Sequence, residues 1–337
     1  MGLYILQNKL NLKIVKSDSF SPYHNLALEE HLFNNLKQDE IIFYLWQNQN
    51  TVVIGKNQNP WKECNVSLFQ SENGSVARRL SGGGAVYHDL GNLNFTFLMG
   101  EDLYDLKKQL SVIIDGLNSI GINAEFSGRN DIIVDGKKIS GNAFYFDDSK
   151  AYHHGTILVD VNVDKLQRYL NVSKDKIKSK GIDSVKSRVI NLNELREGLT
   201  IEEISKSMIN SFSKIYQGEL ENLDISENNE ELKKLQEKYS SWEWLFGETP
   251  EFEINFEKRF TFGNIDIRFA LKDAVIKKVF IYSDMLNTEV IPKMKDALID
   301  VPFNVEDICE CIINCTDKEE EKIITKEIIN WIKEEMN

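Results

Sequence analysis

The run Arg78-Arg79-Leu80-Ser81-Gly82-Gly83-Gly84-Ala85-Val86-Tyr87-His88-Asp89-Leu90-Gly91-Asn92 constrains this chain more than any other stretch. Three successive glycines carry no Cβ, so their amides can approach a ligand closely and take positive φ. The two arginines before them offer forked donors suited to phosphate or carboxylate. Val86 to His88 and Asn94 to Leu98 predict strands, with Asp89-Leu90-Gly91-Asn92 as a tight turn between them. The predicted object is a hairpin whose mouth holds an anion beside an apolar group; a flexible loop between strands is the plainer reading. No Gly-x4-Gly-Lys-Ser/Thr occurs, and no Gly-x-Gly-x-x-Gly opens a helix, so neither a P-loop nor a dinucleotide fingerprint is present.

A second hairpin is predicted around Asp135-Gly136, after Ser127-Gly128-Arg129-Asn130-Asp131. Lys138 falls just past that turn, with the small residues Ser140, Gly141 and Ala143 beyond it. Small side chains beside a lysine leave room for a ligand, although spacing alone equally describes an exposed hairpin lysine. Further distinctive runs are Gly55-x-x-Gln58-Asn59-Pro60-Trp61, Tyr152-His153-His154-Gly155-Thr156, Lys180-Gly181-Ile182 with Ser187-Arg188-Val189, and Trp242-Glu243-Trp244-Leu245-Phe246-Gly247. The paired histidines have no third ligand at metal-binding spacing and read as part of a structural or substrate-edge strand.

Taken in chain order the runs resemble the lipoate–protein ligases, from about residue 20 to the C-terminus. The resemblance implies an α+β protein. A large mixed-sheet catalytic domain of the biotin/lipoate ligase, class II synthetase-like type is expected over residues 1–247. A small α+β accessory domain is expected over 252–337, with Gly247-Glu248-Thr249-Pro250 as the linker. It implies ATP and Mg2+ as cofactors and lipoate as substrate: lipoate attacks the α-phosphate to give lipoyl-AMP, and an acceptor lysine takes the lipoyl group. The implied acceptors are apo lipoyl domains of 2-oxoacid dehydrogenases or the glycine-cleavage carrier protein. By the same resemblance Lys138 is the catalytic residue, touching both the lipoyl carbonyl and the α-phosphate. Arg79, Gly84, Ala85, Val86, Tyr87, Asn130 and Asp131 would bind the nucleotide, with Asp131 beside magnesium. Gly82, Gly83 and His88 join Lys138 at lipoate.

Composition agrees with a soluble globular chain. The 337 residues suggest two domains, 42% are hydrophobic and 28% charged, and no apolar run approaches a membrane span. Lys9, Lys13, Lys16 and Asp18 interrupt any signal-peptide pattern, so the expected address is cytoplasmic. A net charge of −13 argues against a general nucleic-acid binder. Between Asn162 and Ile190, however, eight Lys or Arg stand against three Asp. That stretch is either a solvated face or a docking patch for an acidic partner, in which Lys180, Lys186 and Arg188 would take part. Cys309, Cys311 and Cys315 lie together without a nearby histidine; Cys311 and Cys315, four apart, are expected to share a buried helix face rather than to hold a metal.

Three other functions compete; the first, biotin ligation, shares the implied fold and chemistry, but the run from Arg78 to Ala85 favours lipoate. An ATP-independent lipoyl or octanoyl amidotransferase of the same fold would need a cysteine nucleophile, yet Cys64 is the only cysteine before residue 248 and has no evident base. A catalytically silent sensor would bind lipoylated partners without consuming ATP.

Overall fold

Alternation along three adjacent strands decides the architecture. In β2 (Glu40–Trp46) the side chains of Ile41, Phe43 and Leu45 enter one core. In β6 (Asn92–Gly100) Leu93, Phe95, Phe97 and Met99 do the same. The intervening residues, among them Tyr44, Trp46, Asn94 and Thr96, therefore face the opposite side of the sheet. The computed structural model describes residues 10–128, 131–147, 149–170, 189–218, 220–226, 229–246, 254–272 and 275–336. They form two compact units: residues 1–53, 64–77 and 86–245, and residues 54–63, 78–85 and 246–337.

The first unit is built on an eight-stranded mixed sheet. Besides β2 and β6 it contains β1 (Asn11–Lys16), β7 (Glu125–Ser127), β8 (Asp131–Val134), β9 (Lys137–Asp147), β10 (Lys150–Leu158) and β11 (Leu220–Asn222). The order is β11-β1-β2-β6-β10-β9-β8-β7. Only the β11/β1 and β1/β2 pairs are parallel. Leu106–Ser119 and Ile201–Tyr216 are amphipathic helices that place Leu110, Ile113, Leu117, Ile204, Met208 and Phe212 on the apolar face. Phe43 stacks on Phe97 at 4.5 Å between centroids, and Phe212 tilts against both. The helix Pro22–Asn34 begins on Pro22, because proline presets φ and lacks the N–H that a first turn leaves unpaired.

One expectation changes here. Val86–His88 is a strand, β5, but it does not pair with β6. It joins β3 (Thr51–Ile54) and β4 (Ser75–Arg78) in a separate sheet of order β4-β3-β5. Asp89 Oδ1 accepts from Gly91 N at 2.9 Å, and this turn carries the chain from one sheet into the other rather than closing a hairpin. The polar stretch after Gly218 contains β11. Three backbone pairings with β1 suffice for so short an edge strand, whose polar sequence gives no alternation to read.

In the second unit β12 (Ile254–Arg259), β13 (Asn264–Lys272) and β14 (Val275–Ser283) form an antiparallel sheet. Helices Val290–Ala297, Val305–Asn314 and Glu319–Met336 share its core through Met294, Ile308, Ile312, Ile328, Trp331 and Ile332. Cys309 is buried, whereas Cys311 and Cys315, expected on a buried face, are only half-buried at its edge. Strands followed by helices give the small α+β arrangement expected from sequence. No helix among the described residues is long and apolar enough to cross a membrane.

Candidate active site

Lys138 stands where two strands lose step. Opposite β8, β9 pairs Gly141 with Asp131 and Ser140 with Ile132, but Lys138 with Ile133. Ile139 is the extra residue of this bulge and points into the core. Strict alternation would put residues 138 and 141 on opposite faces; one inserted residue brings them to the same face. The Lys138 side chain then runs over Gly141, where a Cβ would stand 2.9 Å from Nζ. It ends 2.7 Å from Asp131 Oδ1, with both side chains a little over one-third exposed. The Lys138 backbone is fixed on its other side, its carbonyl accepting from Ile190 N at 3.1 Å. Asn130, Lys180, Lys186 and Arg188 lie outside the described residues.

The face opposite the apolar core carries a buried polar network. Trp46 Nε1 donates to Thr96 Oγ1 at 3.1 Å, and Thr96 Oγ1 donates to Glu29 Oε1 at 2.7 Å. His154 Nδ1 donates to the same carboxylate oxygen at 2.9 Å. Gly141 N donates to Thr156 Oγ1, two residues along β10 from His154. His153 points the other way, its two ring nitrogens 2.9 Å and 2.8 Å from the side-chain amides of Gln109 and Asn142. Burial first, then the neighbouring His154, push its pKa down to about 3. The two histidines thus lie on opposite faces of one strand, and among the described residues no cluster of three His, Cys, Asp or Glu could hold a metal ion. Sequence reading missed Glu29, Trp46 and Thr96. Each is an ordinary residue of a helix or strand, and its partners lie scores of residues away.

His88 packs edge-on to Trp46, with centroids 6.3 Å apart. Tyr87 is buried against Phe69 and Tyr169 and donates to Asn50 Oδ1 at 3.2 Å. Val86 is half-buried. Cys64 is 1% exposed, an inert small hydrophobe of this unit rather than an accessible nucleophile.

The arginine–glycine loop belongs to the second unit. Arg78 Nη1 donates to the carbonyls of Gly55, Lys56 and Gln58 at 3.2, 2.8 and 2.8 Å, and burial lowers its pKa to about 10. Arg79 Nη2 donates to the carbonyls of Gly82 and Gly84 at 2.6 and 2.9 Å, while its Nε reaches Ser81 Oγ at 3.0 Å. The Arg79 guanidinium thereby shapes the loop's own backbone, and that of Arg78 ties the loop to residues 55–58. The close approach that glycine allows is made here to residues 285–286. A Cβ on Gly82 would overlap the Met285 carbonyl, and Gly83, at φ 88°, donates its amide to that same oxygen at 3.1 Å. Gly84 is exposed and Ala85 half-buried.

Residues 21–213 match the Lipoyl protein ligase A/B catalytic domain, and residues 249–332 match the Bacterial lipoate protein ligase C-terminus. Lipoate-protein ligase A of Psychrobacter cryohalolentis is 44% identical over 308 residues, 89% of this chain and 91% of the relative. That of Blochmanniella floridana is 39% identical over 95% of this chain and 98% of its own length. Among solved structures, P. falciparum LipL1 in complex with lipoate has a TM-score of 0.83 at 33% identity, covering 96% of this chain and 98% of that one. A lipoate-protein ligase A bound with ATP has a TM-score of 0.61 at 25% identity, covering 71% and 99%. The two-part α+β architecture is that of a ligase. The chain belongs to the lipoate-protein ligase A family.

Proposed function

We propose that this ligase activates free lipoate with ATP and transfers the lipoyl group to a lysine of an acceptor protein in the cytoplasm. The acceptor is an apo lipoyl domain of a 2-oxoacid dehydrogenase or the glycine-cleavage carrier protein. In the first half-reaction a lipoate carboxylate oxygen attacks the α-phosphorus of ATP, the bond to pyrophosphate breaks, and lipoyl-AMP forms. In the second the acceptor ε-amine attacks the acyl carbon, AMP leaves, and the amine loses its proton as the amide forms.

The observation that best supports this is Lys138 laid over Gly141 toward Asp131. A carboxylate approaching a triphosphate brings like charges together, and a preorganised ammonium offsets them where charge develops. Lys138 is the group that bridges the acyl carbonyl and the α-phosphate. Arg79 takes phosphate oxygens, exchanging one or both of its carbonyl partners for them. Gly84, Ala85, Val86 and Tyr87 line the nucleotide with Asn130. Gly82, Gly83 and His88 meet lipoate, and the aromatic wall that Trp46 adds beside His88 suits an acyl chain. A single half-buried carboxylate, that of Asp131, fits Mg2+ that takes its remaining ligands from phosphate and water. Bound there, the ion would neutralise phosphate charge.

The test is Lys138→Ala assayed by lipoate-dependent ATP–pyrophosphate exchange. Exchange should disappear while the fold, read by circular dichroism, persists; wild-type exchange in this variant refutes the assignment.

A further inference from the structure

The geometry points to a positioning role for two buried asparagines, Asn25 and Asn48: we propose that together they hold His88 in its Nε2–H tautomer, so that it serves lipoate as a hydrogen-bond donor and not as a base. The consequence for lipoate rests on the reading of His88 given above; the tautomer itself does not.

Asn25 Nδ2 lies 3.0 Å from the Ser19 carbonyl and 2.7 Å from the Gln47 carbonyl. Carbonyl oxygens only accept, so this corner of the amide is its NH2. The same Nδ2 lies 2.9 Å from Asn48; its two hydrogens are shared among three oxygens, and because an amide nitrogen cannot accept, an Asn48 NH2 facing it would be repelled, so the facing atom is Oδ1. That leaves the Asn48 NH2 toward His88 Nδ1 at 3.3 Å. An NH2 donates, so Nδ1 presents its lone pair and the proton of the neutral ring sits on Nε2. At the far end Ser17 Oγ donates to Asn25 Oδ1 at 2.6 Å, and Tyr44 OH adds a longer bond at 3.3 Å. Asn25 and Asn48 are wholly buried and His88 is 3% exposed, so neither amide can turn over without stranding polar atoms away from water. A ring fixed this way offers N–H to a carboxylate or acyl carbonyl oxygen and has no free lone pair with which to remove a proton.

The test reads the His88 ring nitrogens by 15N NMR in the full-length protein. Wild type should show Nδ1 unprotonated and Nε2 protonated at neutral pH. Asn48→Asp, whose carboxylate only accepts, should move the proton to Nδ1 or produce the imidazolium. In exchange assays Asn48→Asp should raise KM for lipoate by about 10-fold or more, with kcat less affected, and should add a pH dependence to KM that wild type lacks. His88→Gln, which keeps an N–H near the ε position, should weaken lipoate less than His88→Asn. The histidine pair still reads the proposal should the Asn48 variant fail to fold. A wild-type ring protonated at Nδ1, or nitrogen signals unmoved by Asn48→Asp, overturns the relay. A fixed tautomer with lipoate KM unmoved in every variant overturns the lipoate role of His88 instead.

Discussion

Lys138 Nζ reaches Asp131 Oδ1 at 2.7 Å by crossing a residue that has no side chain. The pair exists because Ile139 is one residue too many for the ladder between β8 and β9. Gly141 therefore has a defined duty. Gly141→Ala places a methyl 2.9 Å from Nζ and must turn the ammonium aside. Exchange activity should fall on the order of 100-fold, the usual penalty for a catalytic group displaced by about 1 Å, while the melting temperature stays within a few degrees. Unaltered exchange would show that the lysine works from another position.

Asp131→Asn separates structure from chemistry. The ion pair is a little over one-third exposed, so its loss should change stability by less than about 1 kcal/mol. If Asp131 also holds magnesium, the Mg2+ concentration for half-maximal exchange should rise several-fold. A magnesium titration that overlays wild type removes Asp131 from the metal site.

Arg79→Lys tests the loop. One ammonium cannot serve Ser81, Gly82 and Gly84 together as the planar fork does. KM for ATP should rise roughly 10-fold or more, as expected when a charge-assisted bond is lost. A KM equal to wild type would confine Arg79 to shaping the backbone.

His153 sets a pH limit on stability. Its folded pKa is pushed down to about 3, whereas in the unfolded chain the ring titrates near 6.5. Below about pH 6.5 the unfolded state binds a proton that the folded state refuses, so stability contributed by the neutral ring is complete above that pH and declines as pH falls. The slope from this residue approaches about 1.4 kcal/mol per pH unit. Urea unfolding between about pH 6 and 4.5 should give a shallower decline for His153→Gln than for wild type; equal slopes would exclude His153 as the cause.

The aromatic stack of the first unit carries a purely structural prediction. Phe97 is fully buried between Phe43 and Phe212. Phe97→Ala should destabilise by about 3–5 kcal/mol, read as a lower denaturant midpoint. A loss under about 1 kcal/mol would mean the cavity collapses.

Much of this was legible in the chain. Asp135-Gly136 sits in a turn with φ of 49° and 76°, as two residues between alternating strands require. Ile201–Tyr216 carries its helix in its spacing. Other features were not, for identifiable reasons. A strand records that it will pair but not with what, so Val86–His88 was assigned to β6 and instead joins β3. Glu29 and His154 stand 125 residues apart, and a shared hydrogen bond leaves no mark on either segment.

By itself the sequence determined the local chemistry: which segments alternate, where the turns fall, and which motifs announce a lipoate-protein ligase. Tertiary structure alone decided which side of a sheet each group occupies. A single bulge turns Lys138 onto the face of Gly141, and plain alternation sends His153 and His154 apart. The reason is that strand direction and hydrogen-bond register, not residue type, set where a side chain points.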